Sequence, residues 1–127
     1  MKKESKLWFD LAEEDFHNME LMIKEKSHRA SVFFAQQAVE KLLKAFIIEK
    51  KHKVPRKTHK IEQLLHDAGL KGYIITVDRI EELSKSYTWV RYPDLSTRFY
   101  SKKDITTKLL VTAKELYIWV KHEFKNK

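Results

Sequence analysis

Apolar residues dominate the stretch from Arg29 to Lys50, RASVFFAQQAVEKLLKAFIIEK. On a helix of about 3.6 residues per turn, these positions cover far more than one stripe, so the pattern predicts a helix that is packed on more than one side. The polar residues that interrupt it recur at spacings of three and four and form one narrow ridge. These residues are Gln37, Glu40, Lys41 and Lys44. The pattern predicts the central helix of a helical bundle, with its ridge at a groove or at the surface.

Amphipathic helices are predicted at both ends of the chain. The first runs from about Ser5 to Lys26, and Ser5 is a suitable N-cap residue. The last follows a sequence that resembles a capping box, Ser101–Asp104, and runs to about Phe124. Its turn Tyr117–Trp119 carries three large apolar side chains, which overfill one helical turn. This turn indicates a second contact surface and hence self-association.

A basic segment of eleven residues, without any acidic residue, follows the central helix. Its six cations are Lys50, Lys51, Lys53, Arg56, Lys57 and Lys60, which we call the basic patch. Pro55 lies within this segment and prevents the central helix from continuing. Thr58 is then suitable as the N-cap of a short third helix, which is predicted to close at Ala68 and Gly69.

A fourth helix is predicted to begin at Thr76 as its N-cap and to stop before Pro93, because proline disfavours the helical region for the preceding residue. Its buried face is predicted to comprise Val77, Ile80, Leu83, Ser84, Tyr87 and Val90. Arg91 continues this face to the point where it opens to solvent. Its guanidinium can cap the last helical carbonyls, form a salt bridge with a neighbour such as Asp94, or present its donors to a ligand. We expect Tyr92–Tyr100 to form a loop.

Composition favours one small all-α domain. The 127 residues suit a single core, and two Gly and two Pro leave little room for hairpins. The absence of Cys excludes disulfides, thiolate metal sites and a Cys nucleophile, and fits a reducing cytosol. Neither a signal peptide nor an apolar run of about 20 residues is evident, so we expect a cytoplasmic protein that does not contact a membrane.

The net charge of +8, from 26 Lys and Arg against 18 Asp and Glu, favours a polyanionic partner such as nucleic acid. The alternative is a heat-adapted surface, on which many charged residues form stabilising networks. In an up-and-down bundle, the basic patch would lie at one end with the N-terminal lysines, and Arg91 would lie at the other end beside Arg29. Clustering of cations at both ends favours the polyanion.

Two histidine patterns resemble parts of metal sites. Glu14 and His17 match the Glu-x-x-His element of di-iron bundles, but such bundles need a second copy, which the chain lacks. His59, Glu62 and His66 have spacings that would place them on one helix face, and one-sided clusters of this kind are usually solvated. We therefore expect no metal and no cofactor.

Three segments together resemble the HEPN family, the higher eukaryotes and prokaryotes nucleotide-binding domain. They are Ala35–Lys41 (AQQAVEK) followed by Leu43–Ala45 (LKA), Thr58–His59 with Leu64–Leu65 behind it, and Arg91–Asp94 (RYPD). Their order and spacing match the family, and the resemblance covers nearly the whole chain. It implies a five-helix, up-and-down antiparallel bundle similar to the C-terminal domain of kanamycin nucleotidyltransferase, as one domain over residues 1–127.

The resemblance also implies partners and chemistry. Small prokaryotic members commonly form homodimers and are encoded beside a minimal nucleotidyltransferase, as toxin and antitoxin. Either the central helix or the Tyr117–Trp119 turn can supply the dimer surface. Many members are metal-independent endoribonucleases that use an Arg followed, after four to six residues, by a His. Arg91 matches the Arg, whereas the His positions hold Ser96, Thr97 and Arg98, none of which exchanges a proton near neutral pH as imidazole does.

Two hypotheses follow from this combination. The first is an interaction protein that pairs with a nucleotidyltransferase and holds nucleotide or RNA without cutting it; the missing His favours this hypothesis. The second is a ribonuclease in which Arg91 stabilises the phosphate charge and His59 or His28 serves as the base. A purely structural domain is a third alternative. Candidate ligand contacts are Arg91, Asp94, Arg98 and Tyr100, together with the family-matched polar positions Gln37, Glu40, Lys41, Lys44 and His59.

Overall fold

The computed structural model describes residues 1–71, 75–100 and 103–126, which form a helical bundle without a β-strand. Helix α1 spans Lys3–Lys24, α2 spans His28–Phe46, α3 spans Ile61–Ala68, α4 spans Val77–Trp89, α5 spans Pro93–Tyr100 and α6 spans Lys103–Asn126. A π-helical turn, Ile47–Lys51, continues α2. The predicted all-α class is confirmed, with six helices where the resemblance implied five. Among the described residues, no helix has the length and apolar character that crossing a membrane requires.

Helix α2 lies at the centre of the bundle, as its apolar pattern predicts. It contacts each of the other five helices, and its large apolar side chains are buried within the chain except Phe33 and Phe34, which are half-buried. The fully buried set includes Leu42, Leu43 and Phe46 of α2, Met19 of α1, Leu64 and Leu65 of α3, Ile80 and Leu83 of α4, and Leu109 and Leu116 of α6. Because truncating one such side chain to Ala costs about 2–5 kcal/mol, these contacts hold α2 in its central position.

Aromatic pairs join α6 to α1 and to the end of α2. The Phe16 and Tyr117 rings stack with their centroids 4.3 Å apart. The Phe124 ring meets Phe9 edge-on at 5.4 Å and Phe46 edge-on at 5.2 Å. Pairs of this geometry contribute about 0.5–1.5 kcal/mol beyond the apolar area that they bury. They fix the C-terminal part of α6 against the beginning of α1.

The Tyr117–Trp119 turn divides between the core and the surface. Tyr117 is buried, and its hydroxyl donates a hydrogen bond to the Glu13 carboxylate of α1. Burial and then this hydrogen bond raise the pKa of Tyr117 above its ordinary value. Ile118, in contrast, is 63% exposed, and Trp119 is half-buried. The prediction that the whole turn is a second contact surface is therefore wrong for Tyr117, and Ile118 is its exposed part.

The predicted N-cap of the fourth helix is confirmed, whereas that of the first helix is wrong. Thr76 caps α4 as predicted, because its Oγ1 accepts the backbone N–H of Arg79 at 3.4 Å. Ser5 does not cap α1, which begins at Lys3, so that Ser5 lies buried inside the first turn. The predicted capping box Ser101–Asp104 lies partly outside the described residues. On the fourth helix, Val77 is exposed, contrary to its assignment to the buried face.

The third helix begins later than predicted, because a residue of α4 supplies its cap. Thr58 does not cap α3, which begins at Ile61. Instead the Ser84 hydroxyl oxygen of α4 accepts the Ile61 N–H at 2.8 Å. The Thr58 hydroxyl oxygen accepts the N–H of Lys60 and orders the turn before the helix. The predicted end of this helix at Ala68 is confirmed.

The residues after α4 form helix α5, so the predicted loop Tyr92–Tyr100 is wrong. Helix α4 ends at Trp89, before Pro93 as expected, and Pro93 begins α5, because its fixed φ suits the first helical position, where no N–H donor is needed. Asp94 lies in the first turn, where a carboxylate interacts favourably with the helix dipole. The buried Ser96 hydroxyl donates to the Trp89 carbonyl at 2.7 Å and fastens α5 onto α4.

Contacts at the two ends of the bundle confirm the predicted clustering. At one end, the backbone N–H of Lys2 donates to Glu49 at 2.9 Å, beside the basic patch, and this hydrogen bond lowers the pKa of Glu49. At the other end, Arg29 Nε donates to the Val90 carbonyl at 2.8 Å, immediately before Arg91. The N-terminal residues therefore lie beside the end of α2, and Arg29 lies beside the end of α4.

Two left-handed helix ends provide a matched stability test. Gly69 follows α3 with a φ of 66°, and a Cβ atom there would lie 3.0 Å from Lys51 Nζ. We expect Gly69→Ala to lower the free energy of unfolding by about 1 kcal/mol, because the left-handed region is costly for residues with a Cβ atom. Lys26 follows α1 with a φ of 58°, and Lys26→Gly should raise it by up to about 1 kcal/mol. Urea denaturation followed by circular dichroism measures both changes, and shifts of the same sign would contradict this account.

Candidate functional site

An open cleft of about 680 Å³ lies between α4, the first turns of α3 and the segment before α3. Sites for small molecules typically measure about 300–1,000 Å³, so the cleft is large enough for a nucleotide-sized ligand. Its lining residues are Lys57, Thr58, His59, Lys60, Glu62, Gln63, Glu81, Ser84, Lys85, Tyr87 and Thr88. The cleft therefore combines three lysines and two glutamates with hydrogen-bonding and aromatic side chains.

A buried acid on α2 lies behind this cleft. Glu40 is 4% exposed, and its two carboxylate oxygens accept hydrogen bonds from Lys44 Nζ at 3.1 Å and Gln36 Nε2 at 2.9 Å. The same oxygens lie 3.1 Å and 3.2 Å from His59 Nδ1. A buried charge is costly unless it is paired and hydrogen-bonded. These three donors explain how the central helix accommodates an acid, and we call the four side chains the Glu40 network.

The contact with Glu40 determines how His59 is presented to the cleft. A carboxylate only accepts hydrogen bonds, so Nδ1 of His59 carries the hydrogen that it donates to Glu40. The Nε2 atom lies on the other side of the ring, and the His59 side chain is 49% exposed. In the neutral ring Nε2 is an acceptor, and in the protonated ring it is a donor. The network therefore leaves one imidazole nitrogen available to a ligand.

Tyr87 lies between His59 and Arg91. The His59 ring is parallel to the Tyr87 ring within 14°, with centroids 3.6 Å apart. The Arg91 Cζ atom lies 3.4 Å from the same Tyr87 centroid. Two groups at these distances cannot share one face of a ring, so they lie on opposite faces, about 7 Å from each other. We call this arrangement the His59–Tyr87–Arg91 stack.

Arg91 has a structural role in addition to its place in the stack. Its Nη1 atom donates to the Tyr87 carbonyl at 2.6 Å, so the guanidinium caps the end of α4, which is one of the three sequence-based alternatives. The guanidinium also lies 5.6 Å from the Phe33 ring of α2. These contacts hold the cation in one orientation at the end of its helix.

The stack separates two recesses of the surface. His59 lines the larger cleft, whereas Arg91 lines a smaller cavity of about 330 Å³ between α2 and the end of α4. The remaining residues of this cavity are Ser27, Arg29, Ala30, Phe33 and Val90. Arg29 is fixed there by hydrogen bonds from its Nε atom to the Val90 carbonyl and to Ser96 Oγ. A ligand that contacts both His59 and Arg91 must pass the edge of the Tyr87 ring.

The predicted polar ridge of α2 divides between two environments. Glu40 and Lys44 are buried beside each other, with Lys44 9% exposed. Lys41 instead pairs with Asp15 of α1 at 2.7 Å. Gln37 donates to the side chain of the preceding glutamine. Of these four candidates, Glu40 touches a residue of the cleft, and Lys44 supports it.

The other candidates from the sequence lie apart from the cleft. Asp94 and Arg98 are exposed on α5, and the side chain of Tyr100 lies outside the described residues. His28, the alternative general base, lines a separate recess with residues of α1 and α6. Of the two histidines considered as a base, His59 is the one that the stack connects to Arg91.

Cations of the basic patch have different roles. Arg56 forms two hydrogen bonds of 2.7 Å with the Asp67 carboxylate, and these bonds hold the pKa of Asp67 below its ordinary value. Lys51 lies against the end of α3. Lys57 and Lys60 line the cleft. The patch thus contributes two ammonium groups to the candidate site and one guanidinium to the fold.

The predicted shared helix face of His59, Glu62 and His66 does not form. His59 precedes α3, whereas Glu62 and His66 lie on the helix. Glu62 accepts a hydrogen bond from the Ser84 hydroxyl at 3.0 Å. Within the part of the chain that the structure describes, no group of three His, Asp or Glu side chains could hold a metal ion.

Sequence reasoning missed two residues that build the site. Gln36 supports Glu40 and also donates to the His59 backbone carbonyl at 3.3 Å. Tyr87, which was assigned to the buried face of α4, is only half-buried and carries the stack. The signal available for Tyr87 is its spacing of four from Arg91, which places both on one helix face. Gln36 offers a weaker signal, as a polar side chain within a long apolar stretch.

The Glu40 network predicts a large effect of one substitution. Glu40→Ala should lower the free energy of unfolding by about 3 kcal/mol, because it leaves Lys44 as a buried cation without its partner. Denaturation in urea measures the change. The matched control combines Glu40→Leu with Lys44→Met, which replaces the pair by apolar side chains and should recover most of the loss. A single variant as stable as the parent protein would show that the carboxylate is not needed for the fold.

Comparison with known proteins places this arrangement in context. A search of the curated proteins found no significant match. Among solved structures, the crystal structure of TT1696 from Thermus thermophilus is similar, with a TM-score of 0.74 and 23% sequence identity, over 95% of this chain and 98% of that chain. Similarity at this level of identity supports the bundle fold.

The family comparison covers nearly the entire chain. The model of the HEPN domain matches residues 5–123, which include the Glu40 network and the His59–Tyr87–Arg91 stack. This match supports a function related to nucleotides or RNA and confirms the resemblance found in the sequence. The chain belongs to the HEPN domain family.

Proposed function

We propose that this HEPN protein binds nucleotide or RNA at the cleft beside the stack and acts as an interaction protein that does not cleave its ligand. The observation that carries the proposal is the stack of His59, Tyr87 and Arg91, held in place by the buried Glu40. Phosphate contacts and base contacts make different demands on a protein, and stack and cleft together supply the cationic and aromatic groups for both.

Cations around the two recesses suit a ligand that carries phosphate. Lys57, Lys60 and Lys85 line the cleft, and the chain has a net charge of +8. Ammonium groups interact with phosphate as point charges, independently of base sequence. One donor of Arg91 caps α4, and the guanidinium has further N–H groups that can hold a phosphate. These groups support the binding of phosphate esters.

The residues at the usual His positions support binding without cleavage. The Ser96 hydroxyl donates to the Trp89 carbonyl and accepts from Arg29, and the Thr97 hydroxyl donates to the Pro93 carbonyl at 2.9 Å. Their hydroxyls therefore contribute to the packing of α5. General acid–base catalysis typically contributes about 10²–10⁴ in rate, and a hydroxyl does not exchange protons near neutral pH as imidazole does.

A metal-independent endoribonuclease is the second candidate, and the contact between Glu40 and His59 favours it. A carboxylate that orients an imidazole is the arrangement by which many hydrolases hold a general base. His59 Nε2 would take the proton of a ribose 2′-hydroxyl, whose oxygen would attack the adjacent phosphorus and displace the 5′-oxygen of the next nucleotide. Water would then protonate that leaving oxygen, and His59 would release its proton to solvent. Arg91, on the opposite face of the Tyr87 ring, would stabilise the negative charge of a phosphate that lies at the edge of this ring.

Labelled single-stranded RNA in EDTA tests both candidates on the same samples, with fluorescence anisotropy for binding and gel electrophoresis for cleavage. We expect the parent protein to bind without cutting. Arg91→Ala should weaken binding about tenfold, through the loss of a charge-assisted contact to phosphate. The matched control is Lys108→Ala, which removes a cation of α6 that lines neither recess and should leave the affinity nearly unchanged.

Each outcome of that experiment decides between the candidates. Binding without cleavage, weakened in Arg91→Ala alone, supports the interaction protein. Cleavage that disappears in Arg91→Ala would replace it by the nuclease, with a base recruited from elsewhere in the fold. A protein that neither binds nor cleaves RNA or nucleotides would overturn both.

We further propose that the chain forms a homodimer and pairs with a separate minimal nucleotidyltransferase, as in toxin–antitoxin pairs. Family membership supports this proposal, and because most apolar residues of α2 are buried within the chain, the exposed Ile118 of α6 is the better candidate for the dimer surface. Analytical ultracentrifugation should show a dimer that Ile118→Lys converts to monomer, whereas Val54→Lys, on an exposed loop, should not. A monomeric parent protein that co-purifies with no nucleotidyltransferase would contradict the proposal.

A further inference from the structure

We infer that the outer face of the His59 ring is a stacking platform for an unpaired nucleobase, so that the cleft takes single-stranded RNA in preference to duplex. This inference rests on the proposed binding function and names its ligand class. A base on this face would extend the stack to four layers, in the order base, His59, Tyr87 and Arg91. The imidazole would then act as a surface for the base, independently of any proton transfer.

One face of the His59 ring is open to the cleft. Tyr87 covers the opposite face, nearly parallel and 3.6 Å away, and Glu40 occupies the Nδ1 edge. The side chain is nevertheless 49% exposed, and it lines the cleft of about 680 Å³. Its exposed area must therefore lie on the outer face and along the Nε2 edge. A planar ligand in the cleft would therefore meet the ring on its outer face.

The ring is also held in place before any ligand arrives. Glu40 is buried and fixes the Nδ1 edge, while Tyr87 supports the inner face. Tyr87 is supported in turn by the Arg91 guanidinium, which is anchored to the end of α4. Immobilising a free side chain on binding costs about 0.5–1.5 kcal/mol, and this platform avoids most of that cost. Stacking of a base on an aromatic side chain contributes about 1–3 kcal/mol, which is then available for affinity.

Cations next to the ring provide for the phosphates of the stacked nucleotide and its neighbours. Lys57 and Lys60 flank His59 in the chain, and Lys85 lines the cleft from α4. In a duplex, each base is paired and stacked inside the helix and cannot be inserted between these groups. Single-stranded RNA offers both an exposed base and a flexible backbone, so it satisfies the ring and the lysines together.

Short RNAs that carry the fluorescent base 2-aminopurine at each position in turn, and a second dye for anisotropy, test this inference. Stacking quenches 2-aminopurine, so at least one position should be quenched when the parent protein binds. His59→Gln, which removes the ring and keeps a donor for Glu40, should abolish the quenching and weaken binding about tenfold. His59→Tyr, which keeps a planar ring without an imidazole, should retain the quenching. The matched control is His66→Gln, at an exposed histidine of α3 that does not line the cleft.

The same samples separate failure of this inference from failure of the proposed function. Binding by anisotropy with no quenched position, or with equal quenching in His59→Gln, would overturn the stacking platform and leave RNA binding intact. Equal affinity for a duplex of the same sequence would overturn the preference for single strands. Tight binding of a free nucleotide with no gain from a longer strand would assign the platform to mononucleotides and overturn RNA as the ligand. No binding of any of these would overturn the proposed function as well.

Discussion

One buried carboxylate organises the candidate site. Glu40 lies in the central helix and is buried, where an uncompensated charge is costly, and the chain must supply donors from several directions. Gln36 and Lys44 come from the same helix, but His59 comes from the segment before α3. The need to satisfy this acid therefore draws a connecting segment against the core. Through His59 the same constraint reaches Tyr87, and through Tyr87 it reaches Arg91, so the surface chemistry depends on an interaction inside the bundle.

The sequence pattern was sufficient to predict those features of the fold that depend on residues close together in the chain. The apolar stretch of α2 predicts its central position, because a helix covered on several sides must be apolar on several sides. Thr76 begins α4 and Gly69 ends α3 through contacts within a few residues, and both predicted positions agree with the structure. Thr58 fails as a cap because Ser84, on another helix, takes its place. The stretch beginning at Pro93 fails as a loop because proline also suits the first turn of a helix, and local sequence does not distinguish the two uses.

In the candidate site, too, local sequence does not determine the contacts between segments that are far apart in the chain. The sequence places Glu40, Lys41 and Lys44 on one ridge, yet it does not determine which neighbouring element covers each of them. In the structure Lys41 pairs with Asp15 of α1, Glu40 contacts His59 of the segment before α3, and Lys44 donates to Glu40. Arg91 was found because it matches a family motif, and its use as a helix cap was among the alternatives. The position of His59 beyond Tyr87 depends on a contact between residues far apart in the chain, which periodicity does not report.

The π-helical turn Ile47–Lys51 sets the direction in which the chain leaves the central helix. A π turn holds one residue more than the corresponding α-helical path, and each residue of an α-helix advances the chain by about 100° around the axis. Deleting one residue here would let α geometry continue, and the exit of the chain would keep nearly the same direction, because the wider turn already accommodates the extra residue. The whole connection that brings His59 back to Glu40 starts from this exit. The end of the central helix is thus tolerant of a one-residue change in length, whereas the buried Ile47 and Ile48 restrict its composition.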